Sequence, residues 1–75
     1  MPAALKKRSI NLSGHATSLA LEPEFWAALD AMAAGGRMAA LIGRIDEARG
    51  GRPLASACRV AALAWAADGA SRDPA

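Results

Sequence analysis

Lys6, Lys7 and Arg8 stand side by side near the start of the chain, and Asn11 follows three residues later. No acid precedes Glu22, so this stretch is a local basic arm, although the whole 75-residue chain carries a formal charge of only +2. Three adjacent cations are suited to phosphate, where each contact releases condensed counterion. The Asn11 amide can pair bidentately with an adenine edge. For Lys6, Lys7 and Arg8 the plainer role is a solubilising tail. For Asn11 it is a solvent-facing strand position.

Other chemistry is poorly supplied. His15 is the only histidine and Cys58 the only cysteine, so one chain has neither a disulfide nor a Cys/His zinc site. No carboxylate or nucleophile is patterned beside His15, which reads as a polar turn residue, and the chain does not read as an enzyme. No cofactor is expected. Cys58 reads as a small buried apolar residue. Gly35-Gly36 and Gly50-Gly51 lack the strand and the Lys-Ser/Thr pair of a phosphate loop, so they read as helix terminators. Phe25, Trp26 and Trp65 read as core or interface. Trp26, at the edge of its helical stripe, is the candidate aromatic anchor for a protein partner.

The elements that must position these residues follow from periodicity. From Arg8 the pattern has period two, with Ser9, Asn11 and Ser13 alternating with Ile10 and Leu12. It resumes at Thr17, Leu19 and Leu21 against Ser18 and Ala20. Both runs predict half-buried strands, with the turn at Gly14. Glu22-Pro23-Glu24 opens a helix, since proline suits the first helical position. Phe25, Leu29, Met32 and Ala33 form its apolar face, and Gly35-Gly36 ends it. A second helix over 37–49 buries Met38, Leu41, Ile42 and Ile45. A third runs from Pro53 or Leu54 to Asp68 and closes at Gly69. The domains are thus a flexible basic arm over 1–7, a folded unit over 8–69 and a disordered tail over 70–75.

A chain this short buries a modest fraction of its surface, and alanine supplies much of its apolar content. A second chain is the expected stabiliser. The N-terminus shows no signal peptide pattern, and the apolar stretch around Ala61 to Ala67 is far below the roughly 20 residues of a membrane span. The expectation is a cytoplasmic protein with no membrane insertion.

Thr17-Ser18-Leu19-Ala20-Leu21-Glu22-Pro23-Glu24, then a helix, a Gly turn and Met38-Ala39-Ala40-Leu41-Ile42, resembles the ribbon-helix-helix fold. More narrowly, Lys7-Arg8-Ser9-Ile10 through Gly14-His15-Ala16-Thr17-Ser18, with Leu21-Glu22-Pro23-Glu24-Phe25-Trp26, looks like a bacterial family of short ribbon-helix-helix proteins. Gly50-Gly51-Arg52 and Leu54-Ala55-Ser56-Ala57 fit it as well. The resemblance implies an α+β fold: a ribbon-helix-helix homodimer with an extra N-terminal strand and a third C-terminal helix. It implies that strands from two chains pair across a two-fold axis and that Leu19, Leu21, Phe25, Leu41, Ile42 and Ile45 lie at the dimer interface. It also implies DNA binding and transcription regulation, with outward strand residues reading the major groove.

Ser18, Ala20 and Glu22 offer a base little to bond with. The second helix lacks a Ser or Thr near its start, leaving Arg37 as its phosphate ligand. A four-stranded sheet made by two hairpins would be too wide for the major groove, which admits two strands. The first strand, with Ser9, Asn11 and Ser13 outward, is the better reader. The alternative is a scaffold of the same fold used for protein–protein interaction, such as an accessory subunit of a larger complex.

Overall fold

The computed structural model describes residues 4–72, with side chains described over 4–69. Two antiparallel strands, β1 (Lys6–Leu12) and β2 (His15–Leu21), are followed by α1 (Pro23–Ala33), α2 (Met38–Ala48) and α3 (Leu54–Arg72). This is the expected α+β order, with the third helix in place.

The strands meet through a two-residue turn at Ser13-Gly14, where φ is 52° and 82°. Positive φ at both central residues is the pattern of a type I′ turn, whose twist matches that of the flanking strands. The tight turn draws His15 into β2, opposite Leu12. It fixes the register: Lys6 faces Leu21, Arg8 faces Leu19 and Ile10 faces Thr17. Because side chains alternate, Ile10, Leu19 and Leu21 share the buried face. Lys7, Ser9 and Asn11 lie on the other face, with Ala16, Ser18 and Ala20.

β2 passes straight into α1. Glu22 is the N-cap, with extended backbone (φ −62°, ψ 148°), and Pro23 occupies the first turn. The Glu22 carbonyl accepts the N–H groups of Phe25 and Trp26 at 3.0 and 3.1 Å. Ala34, left-handed at φ 51°, closes α1 ahead of the two glycines. The buried line of α1 runs through Trp26 and Leu29. Phe25 is half-buried.

The core joins Ile10, Leu19 and Leu21 to Trp26, Leu29, Leu41, Ile42, Cys58 and Ala62. α2 packs beneath β1, and α3 packs against α1, α2 and β2. Leu19, Leu21, Leu41 and Ile42 are buried within one protomer, in a core to which α3 contributes Cys58 and Ala62. Phe25 and Ile45 are half-buried and pack against the same core.

Two boundaries differ from the sequence reading. β1 begins at Lys6, so Lys6 and Lys7 belong to the sheet rather than to a flexible arm. Residues 1–3 of that arm lie outside the described residues. α3 runs through Gly69 to Arg72. Gly69 does not adopt the positive φ of a helix stop. A helical glycine costs only about 1 kcal/mol relative to alanine, so it need not end the helix. Residues 70–72 of the expected tail are therefore helical, and 73–75 lie outside the described residues. No single described helix is long and apolar enough to cross a membrane.

Ile42 is fully buried, whereas Ile45, one turn on, keeps partial solvent contact. Ile42→Ala should cost about 2–5 kcal/mol and Ile45→Ala roughly half as much. Denaturant titration of both variants checks this. Equal losses would mean that α2 is rotated from the orientation described.

Candidate nucleic-acid interface

The residues with phosphate or base chemistry fall into three places. Lys6, Lys7 and Arg8 line a hollow of about 420 Å³ with Pro23, Trp26, Ala27 and Asp30 of α1. Asn11 lies further along β1, on the outward face with Lys7. Four residues of strand separate the two by about 13 Å. Arg37 is the N-cap of α2 and does not line that hollow. Its backbone is extended, and its carbonyl accepts the N–H of Ala40 and of Leu41 at 3.1 and 3.3 Å. Among the described residues its exposed guanidinium has no ion-pair partner.

The three basic residues are not alike. Lys7 points outward. Arg8, on the same face as Ile10, turns over α1. Its guanidinium donates to both Asp30 carboxylate oxygens, at 3.0 and 3.2 Å. It also lies over the Trp26 ring, 4.4 Å from the centroid. Lys6 contributes its backbone as well as its charge, because its carbonyl accepts the Trp26 indole N–H at 2.7 Å.

Trp26 is therefore not the exposed anchor expected from its place on the helical stripe. It is 2% exposed, with its ring in the core and its one polar atom satisfied by β1. The stripe is rotated by about one position, from Phe25 towards Trp26. Burying this larger side chain removes more apolar area.

Glu22 sits where it would repel phosphate, but it is paired. Arg59 of α3 donates to both of its carboxylate oxygens, at 2.9 and 3.2 Å. The same guanidinium lies 5.8 Å from the centre of the Phe25 ring. Sequence reasoning missed Asp30 and Arg59. Their partners are 22 and 37 residues away, and no local pattern signals such a pair.

The ion pairs set the local titration. The Arg8 guanidinium, chiefly through its hydrogen bonds, lowers the Asp30 carboxyl pKa. Hydrogen bonds from Arg59, and then from the backbone of Glu22 itself, lower the Glu22 pKa. His15, at the start of β2, is exposed. Cys58 is buried, and desolvation raises its thiol pKa. Among the described residues no three His, Cys, Asp or Glu side chains gather as a metal site.

A strand leading directly into paired helices, here preceded by a further strand and followed by a third helix, is consistent with the ribbon-helix-helix class. The model of a ribbon-helix-helix domain family matches residues 5–66, and the chain belongs to that family. Domains of this family generally dimerise and bind DNA, and typical members are transcription regulators. Neither the curated proteins nor the solved structures give a match.

The lowered carboxyl pKa values carry a sign that can be tested. A depressed folded-state pKa contributes stability above the unfolded value, near 4, and loses it as pH falls through the folded value. The Arg8–Asp30 and Arg59–Glu22 pairs should therefore hold at neutral pH and open in acid. NMR titration should find Asp30 below the ordinary aspartate range, and Arg8→Ala should return it there. An Asp30 titration unmoved by Arg8→Ala would remove the pair.

Proposed function

We propose that this protein is a homodimeric DNA-binding transcription regulator that contacts DNA through β1 and its basic end. The observation that carries this reading is the outward face of the hairpin. Lys7, Ser9 and Asn11 run along one strand, opposite the small side chains of Ala20, Ser18 and Ala16. A low, polar surface of two strands suits the floor of the major groove, which admits a ribbon of that width. Because β1 and β2 pair within one chain, each protomer supplies a complete two-stranded ribbon.

The roles divide by chemistry. Lys6 and Lys7 neutralise phosphate at the ribbon's end. Arg37, exposed at the start of α2, can reach a phosphate as a separate charge. Asn11 is the base reader, with Ser9 and Ser18 beside it. Arg8 is held back by Asp30, so it contributes less than its position in sequence suggests.

The second reading, a scaffold for protein–protein contact, draws on the apolar side chains α3 leaves exposed: Val60, Leu63 and Trp65. Trp26 no longer supports it. The two readings separate in a binding assay on genomic fragments over several salt concentrations. Lys6→Ala and Lys7→Ala should each flatten the salt slope by about one unit and weaken all sequences alike. Asn11→Ala should lower discrimination between sequences by roughly 1–3 kcal/mol if its contact is bidentate. Asp30→Asn should strengthen binding, by releasing Arg8 and removing a negative charge beside the lysines, with little change in stability. Absence of binding at low salt, or binding indifferent to both lysines, would overturn the DNA reading.

A further inference from the structure

α2 and α3 are in contact, yet a groove of about 450 Å³ lies open between them. Its floor is apolar, with Leu41 and Ile45 from α2 and Ala57, Val60 and Ala61 from α3. Leu41 and Ala57 are buried at its base, while Val60 is 44% exposed. The apolar surface continues past the groove. Leu63 lies one turn beyond Val60, and Trp65 one turn beyond Ala61, so both extend rows that line it. Leu63 is 67% exposed and Trp65 46%. From Ala57 to Trp65 the strip runs about 12 Å along α3.

The groove is also cationic. Arg44, Arg49 and Arg52 line it, and no described acid does. Arg49 is engaged with Asp46 at 2.6 Å and with the Arg52 carbonyl at 2.8 Å. The guanidiniums of Arg44 and Arg52 have no ion-pair partner among the described residues. Arg44 stands in the middle of α2 and Arg52 in the loop that follows it, so the free charges meet the groove at different levels. Cations gathered on an apolar floor favour an anionic occupant with an apolar face.

We propose that this groove docks an acidic amphipathic helix of another protein. The proposal goes beyond DNA binding, because no groove residue belongs to the DNA-contacting set. A helix laid in a groove presents apolar side chains at i, i+3 or i+4, and i+7. That stripe would cover Val60 and Trp65 and rest on Leu41 and Ile45. Acids on its flanks would meet Arg44 and Arg52. A small anion would leave the strip through Leu63 and Trp65 uncovered. The chain's own helix with acids and no base is α1, but its buried line is committed to the core and its Asp30 is paired with Arg8. The occupant therefore comes from a different protein.

Labelled synthetic peptides titrated onto the full chain test this. The probe is a helix of about 16 residues with leucine at i, i+3, i+4 and i+7 and glutamate elsewhere. It should bind, weaken as salt rises and shield a tryptophan from acrylamide. Trp26 is buried, so the quenchable signal belongs to Trp65. Arg44→Glu combined with Arg52→Glu should weaken binding at least about tenfold, and Val60→Glu likewise, with helical circular dichroism retained. Replacing the peptide's glutamates with lysine, or shuffling its residues to break the leucine stripe, should abolish binding. A shuffled peptide that binds equally well, or binding that withstands the substitutions, overturns the proposal. Shielding of Trp65 by decanoate when the peptide does not bind would give the groove to a small amphiphilic anion. Shielding that grows with protein concentration and excludes the peptide would give it to a second copy. Either result overturns the helix docking and leaves the DNA reading, which is tested on β1, untouched.

Discussion

The Trp26 indole ties together parts of the molecule that have little else in common. Its ring fills the space beneath the hairpin, its N–H holds the first carbonyl of β1, and its outer face carries the Arg8 guanidinium. A two-stranded hairpin is marginal in water unless something packs against it. Trp26 belongs to the helix that continues from β2, yet it grips β1. The helix thereby fastens the far strand, and the turn closes the loop at the other end. The basic residues are displayed on a strand held at both ends.

Charge follows the same economy. Arg8–Asp30 joins β1 to α1, and Arg59–Glu22 joins α3 to the strand–helix junction. Both are two-pronged, which fixes the direction of the guanidinium as well as its distance. Both are exposed enough for water and salt to weaken them. Their effect is therefore on placement more than on stability. One arginine of the basic cluster is occupied, while the acid nearest the ribbon's helix junction is screened.

Much of this was legible in the sequence. The alternation through Ile10 and Leu12 and through Leu19 and Leu21 located both strands and their inward faces. Gly14, Pro23 and the two double glycines marked the turns. What periodicity could not deliver was relative placement. A stripe drawn through Phe25 and one drawn through Trp26 differ by a single residue, about 100° of helix, and only the underside of β1 decides between them. The same limit applies to Leu41 and Ile42, which the pattern gives to a contact with a second chain and which are buried in one protomer. A buried face can be covered from within or from without, and the pattern is identical in both cases. Gly69 misled because a glycine's permissiveness does not compel a stop. Asp30 and Arg59 escaped notice because their partners are remote in the chain.

The strict two-faced character of the hairpin has a consequence for how such a protein can change. The side chains at positions 7, 9, 11, 16, 18 and 20 alternate away from the core, and the large apolar residues that hold the fold lie on the other face. Substitutions on the outer surface are thus nearly uncoupled from folding. A gene duplicated from this one could drift to a new target through those few codons while its interior stayed under unchanged selection. The scaffold separates what must be preserved from what can be rewritten, and the Ser13-Gly14 turn keeps the two sets apart. A slip of one residue in register would exchange them and leave neither intact.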